Sequence, residues 1–236
     1  MLKDVRWLSV LAIALTAATA FGLEARVAAR SDAQTLSVSS LELHDVKAES
    51  LAYKGRSGIH LTAGGETSET SDPATGLAIV RGSSLENGTI EVALAGDTLP
   101  TADPTARGFV GIAFRVSADR ARYECFYLRP KNGRADDQLR RNHTAQYISV
   151  PGFPWEKLRQ ETPGKYESYV DLVPGEWARF KIRVNGARAD LFVNGNDQPT
   201  LIVTDLKQTP ASGAVALWVG PGTDAHFADL QITAKH

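Results

Sequence analysis

Residues 140–147 (Arg140, Arg141, Asn142, His143, Thr144, Ala145, Gln146, Tyr147) bring cations, amides, an imidazole and a phenol into one short stretch. Upstream, Tyr127 and Arg129 are two positions apart on a predicted strand and so share a face. Trp218 lies in a strand whose same-face neighbours, Ala214 and Ala216, are small and leave room above the sheet. Arg115 is predicted on the face opposite Val110, Ile112 and Phe114. Aromatic rings beside amides and guanidinium groups suit a sugar, whose C–H face stacks while its hydroxyls hydrogen-bond. Each residue also has a plainer reading. Tyr127, Tyr147 and Trp218 would serve as sandwich core, and His143 as a loop histidine. Arg115 and Arg129 would pair with Asp136, Asp137 or Glu167.

Known catalytic templates are missing. The chain has no His-Glu-x-x-His, no Gly-x-Ser-x-Gly and no phosphate-binding glycine loop. His44, His60, His143, His226 and His236 show no ligand spacing, so no metal ligand set is expected. A paired-carboxylate glycosidase needs two acids across the scissile bond. No Glu-x-Asp or Asp-x-Glu falls on a suitable strand; Glu124, Glu156, Glu161, Glu167 and Asp171 remain acids from separate elements.

The elements that must position these groups are strands. Val110, Ile112, Phe114 and Val116 alternate with smaller or polar residues, and Ile90, Val92 and Leu94 follow Asn87-Gly88. Phe180, Ile182 and Val184 alternate with Arg179, Lys181 and Arg183 up to Asn185-Gly186. Ala187, Ala189, Leu191 and Val193 alternate back to Asn194-Gly195, which marks paired hairpins. Further strands are predicted at 36–43, 77–81, 122–129, 145–149, 168–172, 201–204, 213–219 and 227–233. About a dozen strands and one short helical window (155–159) predict an all-β, two-sheet sandwich. Residues 130–164 break the rhythm, and this long, polar, Pro-punctuated insertion is expected to build one wall of a site.

Length and composition bound the rest. The 236 residues suffice for one domain, and 26 basic against 27 acidic residues give no electrostatic case for nucleic acid. Lys3 and Arg6, an uncharged apolar run and Ala18-Thr19-Ala20 predict an export signal over 1–20. An uncleaved anchor stays open, although the run is shorter than the roughly 20 residues of a spanning helix. The expected organisation is signal 1–20, flexible leader 21–35 and domain 36–236, with a periplasmic or secreted location and no span after cleavage. Cys125 has no partner cysteine and reads as a buried, inert thiol.

Arg141-Asn142-His143 with Gln146-Tyr147, Lys165-Tyr166-Glu167, Gly175-Glu176-Trp177, Val193-Asn194-Gly195, Asp205-Leu206-Lys207 and 217–223 (Leu-Trp-Val-Gly-Pro-Gly-Thr) carry a resemblance. Over roughly 36–233 the chain resembles secreted bacterial members of the concanavalin A-like lectin/glucanase superfamily, near the 3-keto-disaccharide hydrolase-like domains. The resemblance implies a jelly roll whose concave face, walled by the insertion, binds or processes carbohydrate; no cofactor is expected beyond a possible structural calcium. The Glu-x-Asp-x-x-Glu pattern of family 16 glucanases is missing; the nearest run, from Glu167 to Asp171, has the wrong spacing. Whether the domain is an enzyme stays open. Cleavage of a 3-keto-glycoside by elimination would need one base (His143, Glu124 or Glu167) and cations such as Arg115, Arg129 or Arg141 to hold an enolate. A binding module would use Arg115, Tyr127, Arg129, Arg141, Asn142, Gln146, Tyr147 and Trp218 without a base. A third reading is a laminin-G-like domain that docks another protein.

Overall fold

The computed structural model describes residues 32–33, 36–63 and 76–235. The expected signal and most of the expected leader lie outside them. Fifteen strands are described: β1 (Asp32–Ala33), β2 (Leu41–His44), β3 (Val46–Tyr53), β4 (Arg56–Ala63), β5 (Gly76–Val80), β6 (Asn87–Thr98), β7 (Val110–Val116) and β8 (Tyr123–Leu128). They continue with β9 (Ala145–Val150), β10 (Glu167–Ser168), β11 (Ala178–Asn185), β12 (Arg188–Val193), β13 (Leu201–Val203), β14 (Ala214–Val219) and β15 (Thr223–Lys235). Three short helices, α1 (Pro130–Gly133), α2 (Gln138–Asn142) and α3 (Trp155–Glu161), fall within the predicted insertion.

The strands form two antiparallel sheets. The first has the order β13-β12-β11-β6-β15-β4-β3, with β1 also pairing β15. The second has the order β10-β9-β8-β7-β14-β5-β2. Ile90, Leu94, Ile182, Leu61 and Phe227 of the first sheet and Ile112, Phe114, Phe126 and Leu217 of the second are fully buried core residues. The expected two-sheet jelly-roll sandwich is the fold observed.

The two sheets use alternation differently. Along β11, Ala178, Phe180, Ile182 and Val184 are buried, while Arg179 and Arg183 are exposed. The outer face there is solvated, as in most antiparallel sheets. On β7 and β8 every residue is buried. The outer face of the second sheet therefore carries a second packed layer, and the site stands on it. Among the described residues, no helix is long and apolar enough to cross a membrane.

Two local features depart from expectation. The hairpin β3–β4 was not predicted, because its residues are mostly small or polar and only Ile59 and Leu61 are fully buried. Its turn, Lys54-Gly55, has both residues at positive φ (42° and 80°), the conformation of a tight hairpin. The stretch predicted as a strand from residue 36 opens instead with a 3-10 turn (Val38–Ser40) before β2.

Candidate functional site

Strand register builds the base of the site. Gly111 of β7 pairs with Trp218 of β14 on one side and Tyr127 of β8 on the other. With no side chain between them, the two rings stack at 4.6 Å and 26°. A Cβ on Gly111 would fall 2.6 Å from Tyr127 Cβ, so only glycine permits this stack. Tyr127 in turn pairs with Gln146 of β9, and Gln146 with Glu167 of β10. Trp218, Tyr127, Gln146 and Glu167 thus form one row on the outer face.

Arg129 extends that row. Its N–H donates to the Thr144 carbonyl (2.7 Å), prolonging the β8–β9 ladder by one residue before Pro130 opens α1. Its guanidinium donates to Tyr127 Oη (2.8 Å), Gln146 Oε1 (3.1 Å) and the His143 carbonyl (3.0 Å). It also lies 5.4 Å from the Trp155 ring and 5.0 Å from the Tyr127 ring. Burial pushes the Tyr127 phenol well above its ordinary range, against the pull of Arg129. The phenol stays protonated.

The insertion supplies the walls. Asp137 caps α2 by accepting from the Arg140 N–H (3.1 Å), and the helix ends at His143. In α3, Trp155 and Arg159 are four residues apart and therefore on one face, with the guanidinium 4.3 Å from the indole. Arg159 forks onto the buried Glu167 carboxylate through Nε and Nη2. Glu167 also has Arg129 Nη1 at 3.6 Å and His143 Nδ1 at 2.8 Å. Burial pushes the His143 imidazole below its ordinary pKa; Glu167 works against this, while Arg159 and Arg129 reinforce it. At neutral pH His143 is uncharged.

Above these groups lie two cavities sharing His143 and Arg159. The smaller, of about 170 Å³, is lined by Arg107, Arg129, Asn132, Arg140, His143, Trp155 and Arg159. The larger, of about 700 Å³, is bounded by Leu139, Asn142, His143, Arg159, Pro163, Gly164, Glu167, Ser168 and Tyr169. Asn132 Oδ1 is buried without a hydrogen-bond partner among the described residues. The smaller cavity is cationic, with one aromatic wall.

Several predicted residues lie elsewhere. Arg115 does not face the cleft: it has φ 54° beside a register shift in the β7–β14 pairing. Its side chain crosses to the other sheet, donating to the carbonyls of Glu86 (2.7 and 3.0 Å) and Gly186 (2.8 Å). Alternation had placed it outward, and the bulge reverses it. Glu124 and Tyr147 are on the inner face with Phe114 and Phe126. Tyr147 Oη donates to Glu124 Oε2 (2.6 Å), and the Gln208 N–H donates to Oε1 (2.9 Å). Glu124 is completely buried in this core and cannot meet a substrate in the cleft. Arg141 stacks on Tyr169 and donates to its hydroxyl (2.9 Å), while exposed Asn142 accepts from Gln138 (2.7 Å) on the rim of the larger cavity. Tyr127, Gln146 and Trp218 line neither of the two cavities; they brace Arg129 from behind.

Five of the seven residues lining the smaller cavity, Arg107, Asn132, Arg140, Trp155 and Arg159, were not predicted as site residues, although Arg140 opens the polar stretch 140–147. The i, i+4 spacing of Trp155 and Arg159 in the one helical window was the signal available for two of them. Cys125 is buried as expected, and burial raises its thiol pKa well above the ordinary value, with Glu124 adding to the shift.

No family model matches the chain, and no curated protein matches it in sequence. Solved structures do match in fold. The carbohydrate-binding module CBM66 from Bacillus subtilis is 13% identical, with a TM-score of 0.51 over 81% of this chain and 98% of that one. A protein of unknown function with a galectin-like fold, also from Bacillus subtilis, is 13% identical, with a TM-score of 0.50 over 81% and 89%. A cellulose-induced protein is 11% identical, with a TM-score of 0.50 over 84% and 92%. The fold shared with these structures is a two-sheet jelly-roll sandwich. At these identities the likeness defines fold alone.

Proposed function

We propose that the protein is an exported carbohydrate-binding domain that seats an anionic sugar, such as a uronate or sulfated residue, in the cleft around His143. The observation that carries this reading is the convergence of four arginines (107, 129, 140 and 159) and Trp155 on one small cavity. Trp155 offers a stacking face, and the guanidinium groups bind a carboxylate or sulfate. Glu167 offsets part of that charge, and a net cationic cavity remains. Carbohydrate binding by a module of the same fold supports the reading.

Binding of acidic and neutral oligosaccharides, measured calorimetrically at two salt concentrations, tests it. Trp155→Ala is expected to weaken any sugar about tenfold or more. Arg140→Ala, at an exposed site, is expected to weaken acidic sugars several-fold and leave neutral ones unchanged. Added salt should weaken the acidic ligands selectively. Equal affinity of wild type and both variants for every sugar would remove the cleft from the proposal.

A second reading, cleavage of a 3-keto-glycoside, rests on His143 being held uncharged beside Arg129 and Arg159. His143 would take the proton from the carbon next to the keto group while the guanidinium groups hold the enolate oxygen. The enolate electrons would then expel the aglycone from the anomeric carbon, and water would add to the resulting double bond. A two-carboxylate glycosidase is not supported, since Glu124 lies on the inner face and Glu167 is committed to Arg159. Release of sugar from a 3-keto-glycoside by wild type, but not by His143→Gln, is the expected outcome under this reading. Undiminished turnover in His143→Gln and Arg129→Ala would eliminate it.

A further inference from the structure

We infer that the outer face of the first sheet carries a site for a divalent transition-metal ion, held by His60 Nε2, Asp224 Oδ1 and His226 Nε2. The pairing of β4 with β15 sets His60 directly opposite His226. Asp224 is two positions along β15 and so on the same face. The intervening residues, Ile59, Leu61, Ala225 and Phe227, fill the core, which commits the three polar side chains to the outside. Sequence spacing hid this set, because 164 residues separate His60 from Asp224.

The geometry is close to that of a bound ion. The three ligand atoms lie within 4.8 Å of one another. Ligands at 2.0–2.2 Å in a tetrahedral site are about 3.4 Å apart, and His226 Nε2 is 3.4 Å from Asp224 Oδ1 without a hydrogen bond between them. His60 Nε2 is nearer, at 2.7 Å, so a modest opening of one ring completes the set. Glu49 Oε1 lies 2.8 Å from His60 Nδ1. That contact orients the ring through Nδ1, and Nε2, hydrogen-bonded to Asp224 Oδ1, is the nitrogen that would exchange its proton for an ion, giving the carboxylate–histidine–metal arrangement.

The rings are held in place before any ion arrives. His226 is stacked between Tyr53 (3.7 Å, 3°) and His60 (4.6 Å, 15°). Tyr53 is fixed by its hydroxyl on the Gly175 carbonyl (2.8 Å) and by Trp177 Nε1 on its own carbonyl (3.2 Å). Two imidazoles and one carboxylate select zinc-like ions over calcium or magnesium, which prefer all-oxygen sets. Three protein ligands leave a fourth position for water.

A rival arrangement is a protonated His60 bridging Glu49 and Asp224 with no metal. Calorimetric titration of tag-free, chelator-treated full-length protein with zinc chloride separates the two, with calcium chloride as a parallel titrant. The expected result is one zinc per chain with micromolar or tighter affinity and no comparable calcium binding. His60→Gln and His226→Gln should each weaken zinc at least a hundredfold, and Glu49→Gln about tenfold. Circular dichroism checks that each variant is folded. His60→Gln, at the less buried position, carries the test if His226→Gln does not fold. No heat at about 1 mM zinc, which reports Kd values up to that order, would overturn the inference. So would unchanged affinity in His60→Gln, or calcium binding as tight as zinc.

Discussion

Glu124 and His143 were both read from the sequence as bases, and folding moves their pKa values in opposite senses. Burial raises the Glu124 carboxyl pKa above its ordinary 4.5, although hydrogen bonds from Tyr147 and Gln208 favour the charged form. The protonated form is therefore the one the fold prefers. Its contribution to stability is fully present below pH 4.5 and is lost as pH rises through the raised value. Denaturant midpoints of wild type should fall between pH 4 and pH 8 relative to Glu124→Gln, which cannot ionise. Parallel profiles would contradict this account. Tyr147→Phe should cost about 1–3 kcal/mol, because it leaves Glu124 Oε2 and the Lys207 N–H without their partner. His143 runs the other way: its lowered pKa gives a neutral imidazole at pH 7, available to accept a proton or a ligand hydroxyl.

Among the elements, β7 decides whether the site has a base to stand on. Gly111 lets Tyr127 and Trp218 meet over a bare strand, and that stack supports the Tyr127–Arg129 hydrogen bond. Gly111→Ala would drive a methyl to within 2.2 Å of the Phe126 carbonyl. The expected cost is about 1–3 kcal/mol of overpacking, together with weaker sugar binding, read by thermal unfolding and calorimetry. An unchanged melting temperature would show that the ladder relaxes freely there. Strands β7, β11 and β12 were legible because large apolar residues alternate along them. The hairpin β3–β4 was not, since Ala48, Ser50, Ala52 and Ser57 carry no such contrast. The cleft-forming helix α3 was legible as a single turn, and the i, i+4 pairing of Trp155 with Arg159 follows from it.

At the scale of the molecule, a nearly neutral chain separates its charges. Arginines collect at the β8–β9–β10 edge of the second sheet, while His60, Asp224, Glu49 and His226 occupy the outer face of the first. Asp171 and Asp205 have lowered pKa values. Arg134 forks onto Asp171, and at Asp205 hydrogen bonds from Lys165, Tyr166 and Lys207 outweigh the opposing effect of burial. Groups of this kind stabilise the fold above pH 3.8 and lose that contribution as pH falls through the depressed values. The urea midpoint is expected to drop steeply below pH 4, and less steeply in Asp205→Asn. A drop equally steep in that variant would assign acid sensitivity to other carboxyls.

Composition and periodicity were enough to determine a two-sheet β sandwich, because burial of one face of each strand is written directly into alternating residues. They also placed Tyr127 beside Arg129 and drew notice to residues 130–164. What alternation could not resolve was any position where the backbone departs from a flat ladder or where a partner comes from a distant strand. The bulge at Arg115 turned a predicted cleft residue inward. Glu124 and Tyr147 followed the core face of β8 and β9, because an acid and a phenol that satisfy each other can be buried together. Cross-strand register alone set His60 against His226 and Glu167 beside Gln146, for such contacts depend on pairing between strands far apart in the chain.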